Sequence, residues 1–356
     1  YREHQLLRGE LFRITRALKE MGSTVLFTGE RTEEYGEVSR HGLEEFVADN
    51  VVILRNLLME ERRRRTIEVL KMRGTTHQRG EFPFTVTSDR GIVVLPLSGI
   101  PLTQSSSTVR ITTGNEELDR MCGGGFFRDS VILLSGATGT GKTLMVTQFL
   151  AGGVENGERC LLFAFEESRD QLYRNAAAWG FDFEGMERDG TLKVVNTYPH
   201  AMAVEDHLLT MRDAIDEFKP NRVAVDSLSA LERVTSVRSF REFVLGLTSF
   251  LKQQEIAGLF TSTTASLLGG SSVTEKHIST LTDTIILLRY VETRGRMRRA
   301  LTVLKMRGSS HDHDIREYVI EGRGMTVGAT FSEVTGILSG NLTQLPAGDG
   351  ASSAAG

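Results

Sequence analysis

The segment Gly136-Ala137-Thr138-Gly139-Thr140-Gly141-Lys142-Thr143 has the glycine spacing that lets backbone N–H groups close around a chain of phosphates. An apolar run precedes it and a helical pattern follows, the strand and helix that such a P-loop requires. Lys142 then reaches the terminal phosphates, the helix N-terminus adds partial positive charge, and Thr143 ligates magnesium. Val223-Ala224-Val225 reads as an apolar strand ending in Asp226, which suits the carboxylate that supports the magnesium of such a site. Glu166 and Glu167 close the strand after the P-loop helix, so both emerge at the carboxyl edge of the sheet, where open α/β sheets hold ligands. Adjacent carboxylates repel, which raises one pKa and makes a better base beside the terminal phosphate. The other reading of the pair is a helix start, where acids offset the macrodipole.

Lys305 and Arg307 alternate around Met306 on a strand, so both charges point to one face. In a ring or filament that face meets the next subunit's phosphates, as an arginine finger supplied in trans does. A solvated edge strand protected by charge is the alternative, but Lys71 and Arg73 repeat the pair around Met72.

Short apolar runs at 130–135, 160–165, 222–225, 259–261 and 284–288 read as buried parallel strands, and 143–155, 168–179, 203–218 and 240–253 as helices. The alternation predicts an α/β fold, a mostly parallel sheet with helices on both faces. Residues 285–289 and 299–306 read as a terminal antiparallel hairpin.

These elements belong to a duplication. Val51 to Gly74 laid over Ile285 to Gly308 gives 11 identities in 24 positions at an offset of 234. The shared Val-Leu-Lys-Met-Arg-Gly is followed by His77 in one copy and His311 in the other. Upstream, Leu18-Lys19 matches Leu251-Lys252 at offset 233. Residues 110–233 have no earlier counterpart, so 1–104 read as the back half of one domain and 105–340 as a complete one. The chain thus reads as opening in mid-domain. Residues 103–108 form the linker, and 341–356, bland from Leu345 onward, are expected to be disordered.

At 356 residues the chain is long enough for about two domains. Its 42 basic and 46 acidic residues leave a net charge of −4, which argues against a generic nucleic-acid binder. No apolar run approaches the ~18 residues of a membrane span. The two cysteines offer neither a disulfide framework nor metal spacing, and with no signal peptide the reading is a cytoplasmic protein.

Together with the P-loop, Met121-Cys122-Gly123-Gly124-Gly125-Phe126-Phe127, Phe165-Glu166-Glu167-Ser168-Arg169, Asp226-Ser227-Leu228-Ser229-Ala230-Leu231 and His277-Ile278-Ser279-Thr280 resemble the second lobe of the KaiC family. These are the duplicated RecA-like ATPases of the cyanobacterial circadian clock and their bacterial relatives. The similarity runs over nearly the whole chain. It implies a RecA-like fold, a homo-hexamer with ATP and Mg2+ at subunit interfaces, slow ATPase activity, and serine/threonine autokinase and autophosphatase activity in the second lobe. It marks Ser279 and Thr280 as phospho-acceptors. It assigns catalysis to Lys142, Glu166 and Glu167, and the metal to Thr143, Glu166 and Asp226. It also brings Leu144, Trp179, Arg299, Lys305, Met306, Arg307, Ser309 and His311 to the nucleotide, and Phe46, Lys71, Met72, Arg73, Thr75 and His77 to a neighbour's nucleotide at the first lobe. A KaiB-like partner is implied. The short tail speaks against control by a KaiA-like one, and the first lobe, without a P-loop ahead of it, is not expected to bind ATP by itself. Glu45 and Phe46 stand 234 positions before Ser279 and Thr280, so only the second copy offers acceptor hydroxyls.

A RecA-like DNA motor would need basic loops near a ring axis. Thr263 to Thr282 holds only Lys276 besides His277, against Glu275. A nucleotide-switched scaffold is the third reading, separable from an enzyme by single-turnover hydrolysis.

Overall fold

A computed structural model describes residues 2–31, 33–36, 47–59, 62–95, 106–264, 278–322, 324–332, 334–338 and 343–344. The chain divides into two compact units, Tyr1–Gly99 and Ile100–Gly356.

In the first unit, helix α1 (Arg2–Glu20) precedes β1 (Asn50–Met59), β2 (Arg62–Met72), β3 (Glu81–Thr87) and β4 (Gly91–Val94). The strands pair antiparallel in chain order. Arg55, nearly buried on β1, is compensated by Glu68 at 2.6 Å and Glu81 at 3.3 Å.

The second unit opens with β5 (Arg110–Ile111), α2 (Glu116–Met121) and β6 (Phe126–Phe127). Strand β7 (Val131–Gly136) leads into α3 (Lys142–Glu155), then β8 (Cys160–Ala164), α4 (Arg169–Ala178), α5 (Phe183–Arg188) and β9 (Leu192–Asn196). Helix α6 (Val204–Phe218), β10 (Arg222–Asp226), α7 (Leu228–Glu232), α8 (Val237–Gln253) and β11 (Ala257–Thr263) follow. The unit continues with β12 (Thr284–Thr293), β13 (Arg296–Met306), β14 (Arg316–Glu321), β15 (Gly324–Thr330), β16 (Val334–Thr335) and β17 (Thr343–Gln344).

Its main sheet runs β15-β14-β13-β12-β7-β11-β10-β8-β9. From β12 to β9 every pairing is parallel, and the other three strands extend the edge antiparallel. β7 and β8 are buried at every position, as strands covered on both faces must be. Helix α3 is apolar nearly all round and buried because it crosses β10, β8, β11 and β7. Helices α6 and α8 pack on each other, α6 against β8 and α8 against β11 and β7.

Three sequence readings are corrected. The hairpin of β12 and β13 is not terminal, because β14 and β15 carry the sheet further. β9 escaped notice because its burial alternates and Lys193 interrupts the apolar run. Thr343 and Gln344, expected in a disordered tail, pair with Thr335 and Val334; residues 345–356 lie outside the described residues.

The duplication is visible in the hairpins. Asn50 pairs with Met72 and Thr284 with Met306, the same register displaced by 234. The register shift between Val51 and Val52 recurs between Ile285 and Ile286, leaving Leu70 and Leu304 as the extra, exposed residues of two matching bulges.

Candidate functional site

β7 delivers the P-loop to the carboxyl edge of the sheet, between Leu288 of β12 and Thr263 of β11. Gly141 caps α3 at φ +96°, a backbone that disfavours L side chains, and a Cβ there would lie 2.8 Å from Ile320 Cδ1. Thr138 and Gly139 are exposed, Thr140 is buried, and the Leu144 side chain is wholly in the core. Only the backbone of Leu144, in the first helical turn, is left to serve a phosphate.

The Lys142 ammonium donates to the carbonyls of Gly136 at 2.8 Å and Ala137 at 2.9 Å. Burial pulls its pKa down, opposed by the carboxylates of Asp226 and Glu166. Neutral carbonyls compensate a buried ammonium less well than an anion does, so the loop favours a phosphate beside Lys142.

Thr143 Oγ1 donates to Asp226 Oδ2 at 2.7 Å, and Thr261 Oγ1 to Oδ1 at 2.5 Å. Burial pushes the Asp226 pKa up while the two hydroxyl bonds pull it down. A hydroxyl and a carboxylate are the hard oxygen donors that suit magnesium, which takes its other ligands from phosphates and water. Among the described residues no group of three or more His, Cys, Asp or Glu forms a metal site, and a phosphate-held magnesium needs none.

The two glutamates have different surroundings. Glu166 accepts from Ser227 Oγ at 2.9 Å and pairs with Arg233. Glu167 is half-buried, accepts from Asn175 Nδ2 at 3.2 Å, and its backbone carbonyl accepts from Asn196 Nδ2 at 2.8 Å. Its pKa is raised first by burial and then by Asp226, with a smaller push from Glu166. Repulsion between sequence neighbours was therefore the lesser cause. Ser168, completing a capping box with Gln171, is the N-cap of α4, so neither glutamate caps that helix.

A second group of predicted residues gathers at the opposite edge. Lys305 Nζ donates to the carbonyls of Ser279 and Thr282, each at 2.7 Å, and Arg307 Nη2 to the carbonyl of Thr280 at 2.9 Å. Both cations thus engage the turn that precedes β12 in their own chain, on the side away from buried Met306, and Arg307 lies one residue beyond β13. Met306 is buried. Ser309 accepts from Arg110 at 2.6 Å, and the His311 ring stacks edge-on with His313 at 4.5 Å. Arg299 stays at the P-loop edge, its guanidinium 5.7 Å over the Tyr290 ring. Trp179 stands at the far end of α4, whose 10 residues span ~15 Å.

Asp283 organises this edge. It takes Lys252 at 2.8 Å, the Val131 N–H at 2.9 Å and Arg307 at 3.7 Å. The first unit repeats the arrangement: Asp49 takes Lys19 at 2.6 Å and Arg73 at 3.3 Å, and Lys71 donates to the Ala48 carbonyl at 2.8 Å. Met72 ends β2, with Thr75 and half-buried His77 in the segment that follows. Phe46 and residues 265–277, which include Lys276 and His277, lie outside the described residues. Asp283, Arg233, Asn175, Asn196 and Thr261 were not singled out in the sequence; only Asp283 had a signal, since Asp49 stands 234 positions before it, just ahead of the repeated hairpin.

A strand, a phosphate-cradling loop, a buried helix and an acid-ended strand two places along a mostly parallel sheet define a RecA-like P-loop protein. A sequence model described as "ATPase: KaiC" matches residues 1–99 and 111–331, and the chain belongs to this family. The circadian clock protein KaiC3 of Synechocystis sp. is 68% identical over 334 residues, 94% of this chain. The circadian clock oscillator proteins KaiC of Thermostichus vulcanus and Synechococcus elongatus are 56% and 55% identical over 345 residues, 97% of the chain. The chain spans 66% of the length of each of these relatives. Among the described residues no helix is long and apolar enough to cross a membrane.

Proposed function

We propose that this chain is an Mg2+-dependent ATPase and serine/threonine autokinase and autophosphatase, acting in a KaiC-type homo-hexamer with a timing role like that named for its relatives. ATP lies between subunits, a KaiB-like protein is its partner, and Ser279 and Thr280 are the acceptors. One observation carries the reading: the P-loop follows the end of β7, whereas Asp283, just after the acceptors, bonds to Val131 at its beginning. Five residue steps of strand, ~16 Å, separate the two edges. One chain therefore offers a phosphate cradle at one edge and hydroxyls with Lys305 and Arg307 at the other, and stacking copies side by side unites them.

In phosphoryl transfer the acceptor hydroxyl oxygen bonds to the γ-phosphorus of ATP. The bond to the β–γ bridging oxygen breaks, ADP leaves, and the hydroxyl proton passes to a carboxylate. Thr143 and Asp226 would hold Mg2+, which would supply neutralisation of charge on the phosphate oxygens. Lys142 orients the terminal phosphates, and Glu167, with the raised pKa, takes the proton. Glu166, tied to Ser227 and Arg233, organises the magnesium or water instead. Mass spectrometry of the chain after incubation with Mg-ATP tests the reading; phosphate on neither Ser279 nor Thr280 removes the kinase assignment.

The two glutamates are expected to separate. Glu167→Gln lowers single-turnover hydrolysis and labelling by about 100-fold, the usual loss for a general base. A base works deprotonated, so the native acid limb lies at higher pH than an ordinary glutamate gives, and the variant loses that limb. Glu166→Gln has a smaller, pH-independent effect. Normal rates in both variants would leave the acids with no chemical role.

A further inference from the structure

The antiparallel edge of the sheet backs directly onto the P-loop. The Tyr318 hydroxyl, from β14, donates to the Thr140 carbonyl. A Cβ on Gly139 would lie 2.7 Å from the Tyr290 hydroxyl, so this second ring also abuts the loop. Thr140 is fixed from within the loop as well, its Oγ1 donating to the Ala137 carbonyl at 2.7 Å. Tyr318 is 1% exposed, and burial raises its pKa, so the hydroxyl keeps its proton and stays a donor.

The duplication supplies an internal comparison. β13 pairs Ala300 with Glu317, as β2 pairs Thr66 with Pro83, again displaced by 234. By that register Phe84 is the first unit's counterpart of Tyr318, and Asn56 that of Tyr290. Phe84 is buried in its own sheet. The ladder position therefore accepts a ring without a hydroxyl, and sheet packing alone does not explain the oxygen of Tyr318.

We propose that Tyr318 is a positioning residue for the nucleotide, whose hydroxyl sets the Thr140–Gly141 peptide so that the Gly141 N–H faces the phosphates. A trans peptide holds its carbonyl and the following N–H in opposite directions, so anchoring the carbonyl against β14 aims the amide into the loop. The inference rests on the reading that this loop holds ATP, and it makes β14 a determinant of phosphate affinity in the second unit that the first unit does not share.

Calorimetric titration of the full chain and of Tyr318→Phe with Mg-ATP and, separately, with adenosine tests it. The variant is expected to bind Mg-ATP about fivefold more weakly, the effect of one hydrogen bond, with adenosine affinity unchanged. Unchanged Mg-ATP affinity would overturn the inference, and so would equal losses for Mg-ATP and adenosine, which a general disturbance of the site produces. Should the variant not fold, 3,5-difluorotyrosine at position 318, a stronger donor of the same shape, is expected to bind Mg-ATP more tightly than the native chain. Equal or weaker binding overturns the inference. Failure of the native chain to bind Mg-ATP would instead sink the reading of the loop itself.

Discussion

Lys142→Ala is expected to abolish ATP-dependent ring formation together with hydrolysis. In the native loop a buried ammonium is held by two neutral carbonyls, with Asp226 and Glu166 supporting its charge. Removing it leaves those carboxylates unopposed where phosphates must enter. Hydrogen bonds to charged groups contribute about 1.5–3 kcal/mol each, so affinity for ATP should fall by roughly 10- to 150-fold. If ATP joins the P-loop edge of one copy to the Lys305 and Arg307 edge of the next, subunit association falls with it. Size-exclusion chromatography with and without Mg-ATP, at matched protein concentration, measures this. Rings that still form in an ATP-dependent way would show that the nucleotide does not bridge subunits through this loop.

Phosphate should pass between subunits and not within one. The Ser279 and Thr280 carbonyls are held by Lys305 and Arg307 near the start of β7, and the P-loop follows its end. No rotamer change spans that separation, because a serine hydroxyl reaches only ~2.5 Å from its Cα. A Lys142→Ala subunit with intact acceptors, mixed with a Ser279→Ala/Thr280→Ala subunit with an intact P-loop, should become labelled from radioactive ATP, while the donor subunit stays unlabelled. Either subunit alone should remain unlabelled. Absence of label despite verified mixing excludes transfer in trans, and label on other residues of the acceptor chain overturns the assignment of Ser279 and Thr280.

Much of the site was legible because its parts are contiguous. The eight residues of the P-loop, the strand ending at Asp226 and the paired glutamates each carry their chemistry within one short segment, since a strand, its turn and the following helix set the local backbone. The duplication was legible for the same reason: Val-Leu-Lys-Met-Arg-Gly needs no folding to be recognised, and the two hairpins then share one register and one bulge. The family resemblance rested on such segments and extended to nearly the whole chain.

The partners of those residues belong to tertiary structure. Arg233 on Glu166 and Thr261 on Asp226 come from segments that the sheet order brings together, and no spacing in the chain announces them. Lys305 and Arg307 were expected to export their charge, but the carbonyls they bind are set by how residues 278–283 enter β12, which alternation along β13 does not encode. Sequence by itself determined that this chain carries a phosphate-binding loop and two copies of one hairpin. Only the folded sheet decided that Tyr318 stands behind that loop and that Ser279 and Thr280 lie at the far edge, because side chains meet across hydrogen-bonded ladders whose order is fixed by packing many strands at once.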